Sequence, residues 1–86
     1  MNMTTLIPVD SVDTLGKIVR KTRKQQGLRQ DAVARFSHTF VGEVEKGKPT
    51  AQVGKLLELL RELGIRLHLE LPSGIELESS EKGPTR

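Results

Sequence analysis

The chain has 86 residues, no cysteine and a formal charge of +3, with 35% of its residues hydrophobic and 29% charged. That size allows one small domain, and the composition leaves no second core and no membrane span. Without cysteine there are no disulfides, no Cys-type zinc sites and no thiol chemistry. His38 and His68 lie far apart in sequence, so neither a metal nor any other cofactor is expected, and a second subunit is the remaining source of support for a marginal core.

Met1–Asp10 lacks an apolar run of signal-peptide length, and a cytoplasmic protein is the resulting expectation. Charge is unevenly spread. Residues 1–48 carry nine Lys/Arg against five Asp/Glu, whereas residues 49–86 carry five against six. Six of the basic residues (Lys17, Arg20, Lys21, Arg23, Lys24, Arg29) fall between Asp13 and Asp31 with no acid among them. Such a run suits either a polyanionic partner or a solvated helix face.

Residues 1–10 read as a flexible arm, because Pro8 and scattered polar residues sustain no period. Ser11 is a helix cap with Asp13 in the first turn, and Leu15, Ile18, Val19 and Thr22 recur at helical spacing, which predicts a first helix over residues 12–26 ended by Gly27. Leu28 turns inward. Gln30–Phe36 is predicted as a short second helix with Val33 and Ala34 buried. Ser37 caps a third, His38–Glu45, with Val41 and Val44 on one side, and Lys46-Gly47-Lys48-Pro49 is a turn. Thr50 is the expected cap of a fourth helix, whose apolar stripe is Val53, Leu56, Leu57, Leu60 and Leu63, closed by Gly64. From Ile65 to Leu71 the period changes to two, with Ile65, Leu67, Leu69 and Leu71 on one face, so a strand follows. Pro72-Ser73-Gly74 breaks it; residues 75–78 offer a second short strand before a polar tail.

Catalysis has no foothold: there is no phosphate-binding Gly-rich loop, no nucleophile with a nearby His and no metal-ligand spacing, so a non-enzyme without catalytic residues is expected. The informative region is the pair of short helices joined by almost no loop and followed by a basic turn. A short helix held across the end of another is the geometry that presents a helix to a DNA major groove.

The helix 1 pattern Ile18-x-x-x-Thr22-Arg23-x-x-x-Gly27-Leu28, Gln30 at the start of helix 2, and Val44-Glu45-x-Gly47-Lys48 resemble the lambda-repressor-like (Xre/Cro) helix-turn-helix family. The match covers residues 15–64. Lys48-Pro49-Thr50, the Leu-rich helix and the alternating segment after Gly64 make the chain look most like HipB-type antitoxins. Two departures stand out. Arg29 occupies the position where the family usually has a Thr or Ser cap. The span from Gln30 to Glu45 is about three residues shorter than the family pattern, so helix 2 is clipped or the turn tightened.

The resemblance implies a mainly α helix-turn-helix bundle that binds double-stranded operator DNA as a homodimer, with a HipA-like kinase toxin as partner. It implies a phosphate contact for Gln30, base-edge reading by His38 and Thr39, and an ion pair between Arg23 and Glu45. Beside these, Ser37 combines capping with a phosphate contact, Glu43 suits either cytosine recognition or the exclusion of wrong sequences, and Lys46 and Lys48 are candidate phosphate clamps, with Arg35 less central. Phe36 and Phe40 read as packing residues, and Gly42 as a point of close backbone approach or drift. One isolated apolar strand has unpaired backbone groups, so Ile65, Leu67, Leu69 and Leu71 are expected to pair with the same strand of a second subunit. The expected organisation is an arm (1–10), a DNA-binding domain (11–64), a dimerisation strand (65–71) and a flexible tail (72–86). A stand-alone regulator of the same fold, and a protein-interaction module without DNA binding, remain as alternatives.

Overall fold

The computed structural model describes residues 4–33 and 36–77. Among these residues three α-helices follow in chain order, α1 (Val12–Gln25), α2 (His38–Glu45) and α3 (Val53–Glu62), with a 3-10 turn at Gln30–Ala32 between the first two. Ala34, Arg35 and the tail from residue 78 onward lie outside the described residues.

Local chemistry sets most of the boundaries. The Ser11 hydroxyl accepts the backbone N–H of Thr14 at 3.1 Å, and the Ser37 hydroxyl accepts that of Phe40 at 3.0 Å, so α1 and α2 each start on a serine cap. All three helices end the same way. Gly27, Gly47 and Gly64 adopt positive φ (74°, 82° and 79°) one residue past the C-cap. The following amides, of Leu28, Lys48 and Ile65, donate back to the carbonyls of Arg23, Glu43 and Leu60. That is the Schellman arrangement, and Leu28 and Ile65 then pack against the core as its apolar partners.

Three expectations are corrected. The second helix does not run from Gln30 to Phe36; it is one 3-10 turn that ends at Ala32, with Val33 already extended. Arg29 makes no side-chain cap there. Thr50 does not cap α3. Pro49 and Thr50 form a turn, and the cap position falls on Gln52, without a side-chain bond. The core stripe of α3 is also rotated from the expected one. Leu56, Leu59, Leu60 and Leu63 face inward, with Leu59 fully buried, while Val53 and Leu57 are exposed.

The core gathers Val19 of α1, Val33, Phe36, Val41 and Val44 around α2, and Leu59, Leu60 and Leu63 of α3. Phe36 stacks on Phe40 with ring centroids 5.7 Å apart, and Lys55 of α3 sits over the Phe40 ring at 4.8 Å, so both aromatics serve packing. Among the described residues no strand ladder forms. Residues 65–71 are unpaired, with Ile65 on the core and Leu67, Leu69 and Leu71 exposed. A strand needs a neighbour to bond its N–H and C=O groups, and the described residues place none beside this segment. No helix among the described residues is long and apolar enough to cross a membrane.

Candidate nucleic-acid interface

The position of α2 is fixed against α1 at two points. At the first, Gly16 of α1 touches the last turn of α2. A Cβ there would overlap the Val44 carbonyl oxygen and approach that of Glu45 to 2.8 Å. The second is a buried ion pair. Arg23 donates from Nε to Glu45 Oε2 at 2.6 Å and from Nη2 to Oε1 at 3.0 Å, and its Nη1 donates to the Leu28 carbonyl at 2.8 Å. One guanidinium therefore joins α1, α2 and the segment that leads into the 3-10 turn. Such two-point geometry fixes orientation as well as distance.

Gln30 completes the cluster. Its Nε2 donates to Glu45 Oε1 at 3.1 Å, and its amide lies over Gly42 with the nearest atom 3.5 Å from where a Cβ would be. Gly42 thus faces the Gln30 side chain, and an added methyl there would make ordinary contact. Burial pushes the Glu45 carboxyl up, but the bonds from Arg23 and Gln30 and the charges of Arg23 and Arg20 outweigh it and hold the group below its ordinary value. The same bond to Glu45 raises Arg23, against the opposing effect of burial.

On this base α2 turns its opposite side outward. Ser37, His38 and Thr39 are exposed at its N-terminus, where free backbone N–H groups and the positive end of the helix dipole favour anions. A shallow depression beside them is lined by Arg23, Arg29, Gln30, Asp31 and His38. Gln30 and His38 therefore share one surface. Lys46 is exposed just past the end of α2. Glu43 and Lys48, read separately in the sequence, form an ion pair at 3.2 Å on the surface, so neither side chain projects alone. Arg29, which the sequence offers as a poor cap and as the last cation of the basic run, lines the depression and pairs with Asp31 at 3.2 Å.

Gly16 is the positioning residue that the sequence reading passed over. Its signal was present: a glycine inside a helix costs about 1 kcal/mol relative to alanine, so a helix that keeps one often needs close approach there. At Gly42 the close neighbour is a side chain, whereas at Gly16 it is backbone.

No protein-family model matches the chain. Among solved structures, a chain in the HipA-HipB-O2-O3 complex shares the fold, with a TM-score of 0.69 at 16% identity over 74% of this chain and 94% of that one. The chain is also 44% identical over 61 residues to the uncharacterized HTH-type transcriptional regulator y4mF of Sinorhizobium fredii, spanning 67% of its own length and 80% of that relative. With that identity over most of the relative, and with α2 held by the Arg23–Glu45 pair and exposed at its capped end, the chain belongs to the helix-turn-helix transcriptional regulators.

Proposed function

We propose that the chain is a sequence-specific repressor that binds operator DNA as a homodimer, and that it is the antitoxin of a HipA-like kinase whose operon it regulates. The observation that carries the DNA reading is the exposed, serine-capped first turn of α2, held in one orientation by Arg23, Glu45 and Gln30. In this reading α2 enters the major groove. His38 and Thr39 contact base edges, Glu43 excludes or accepts particular bases, and Gln30, Ser37, Lys46 and Lys48 meet phosphates. Gln30 retains a second amide N–H to donate in that contact beyond the bond to Glu45.

The dimer reading rests on residues 65–71. Leu67, Leu69 and Leu71 are 54%, 81% and 45% exposed, an alternating apolar series that is in no strand ladder among the described residues. Antiparallel pairing with the same segment of a second copy would satisfy those backbone groups, with the leucines brought over the α3 surface and two α2 helices spaced for successive grooves. The partner reading draws on the fold shared with a chain of the HipA-HipB-O2-O3 complex.

A retardation assay on the DNA upstream of the chain's own reading frame tests the first part, and co-purification with a kinase-like protein encoded beside it tests the second. Shifted bands that random competitor DNA does not remove, and a stoichiometric complex, are the expected results. If random competitor abolishes the shift, the chain is not a sequence-specific operator binder; if no complex forms with the neighbouring product, the antitoxin assignment falls.

A further inference from the structure

On the outer side of α1, Lys17, Arg20, Lys21 and Lys24 surround a shallow depression that also touches Gln25, and all five side chains are exposed. Their spacing of i, i+3, i+4 and i+7 puts the four cations on one stripe about 10 Å long at 1.5 Å per residue. Gly16, Val19 and Arg23 form the buried side of the same helix, so the stripe points away from the core. It shares no residue with the depression at the N-terminus of α2. Among the described residues none of the four has an ion-pair partner, whereas Arg23, Arg29 and Lys48 each have one. Like charges at these spacings repel and weaken a helix. An anion lying along the stripe would relieve that repulsion.

We propose that this face is a second, sequence-independent binding surface for duplex DNA, so that a subunit seated on its operator through α2 holds a neighbouring DNA segment through α1. The inference rests on the operator-binding reading only for what occupies α2. A protein partner fits the stripe poorly, because interface cores are depleted of lysine and built on apolar or aromatic anchors, and the stripe offers none. A phosphate backbone needs only point charges at its own spacing, and each strand of duplex DNA presents one charge per about 3.4 Å of axis, so a stripe of this length reaches about two or three phosphates of one strand.

The test uses the full chain with Lys17→Gln, Lys21→Gln and Lys24→Gln combined. Gln is close to Lys in helix propensity, and Arg20 is kept because its charge acts on Glu45. In a salt series with a random-sequence duplex of about 20 base pairs, the variant is expected to bind about tenfold more weakly at low salt, with the log–log slope reduced by about 2. With operator DNA immobilised, the bound wild-type protein captures a labelled random duplex and the variant does not, although its operator affinity changes less than about threefold. An unchanged salt slope, or equal capture by variant and wild type, overturns the inference. Failure of both proteins to bind the operator overturns the operator reading instead, and the salt series then decides the α1 surface alone.

Discussion

The carbonyl oxygen of Val44 occupies the space that a side chain on Gly16 would need. Because the obstruction is backbone at the end of α2, an added methyl is accommodated only by moving one helix away from the other. Gly16→Ala is therefore expected to destabilise the fold by about 1–3 kcal/mol despite improving helix propensity. Gly54 of α3 has nothing within 4 Å of its would-be Cβ, so Gly54→Ala should be neutral or stabilising by up to about 1 kcal/mol. Urea denaturation of the two variants separates them, and similar midpoints would remove the case for close approach at Gly16.

Arg23 and Glu45 are nine-tenths or more buried. Arg23→Ala leaves the carboxylate without its main partner, and a loss of about 3–5 kcal/mol follows, against about 0.5 kcal/mol or less for the exposed Lys24→Ala. Melting temperatures within a degree of each other would show that the pair contributes nothing.

The pH dependence follows from the direction of the Glu45 shift. Its carboxyl is held below its ordinary value in the folded chain, so it binds a proton more weakly there than in the unfolded chain. Its contribution is complete above the unfolded-state pKa of about 4.3 and is lost as the pH falls through the lower folded-state value. The gap in Tm between wild type and Glu45→Gln should therefore be wide at neutral pH and narrow in acid. A gap of constant width would contradict the assigned direction.

If α2 reads bases, His38→Ala or Thr39→Ala should cost about 1–3 kcal/mol on the operator and little on random DNA, whereas Lys46→Ala should weaken both alike. Parallel titrations on the two DNAs give the comparison. Equal losses on both for all three variants would mean that the first turn of α2 meets only the phosphate backbone.

Leu67 and Leu69 are the most useful positions for the proposed dimer, since both are exposed in the single chain. Leu67→Asp with Leu69→Asp should yield a monomer, lower the melting temperature and abolish operator binding together with dimerisation, because charges placed in a paired apolar strand are buried without partners. Sedimentation of the double variant as a dimer would assign the segment another role.

Local chemistry alone was enough to read α1 from its serine cap to Gly27, α2 with both its ends, and the glycines that close all three helices, because caps, left-handed turns and helical periodicity depend on residues a few positions apart. The Arg23–Glu45 pair was legible only through the family resemblance. Tertiary structure decided the rest. Leu56 and Leu57, and again Leu59 and Leu60, are adjacent leucines that periodicity cannot rank; only the docking of α3 turns Leu59 inward and leaves Leu57 out. The 3-10 turn stops at Ala32, although the local sequence allows a longer helix. Gln30 reaches Glu45 and Glu43 reaches Lys48, contacts that depend on how segments pack rather than on which residue types they contain. Residues 65–71 have the period of a strand, but a strand exists only beside another, and its hydrogen bonds are not supplied by its own sequence.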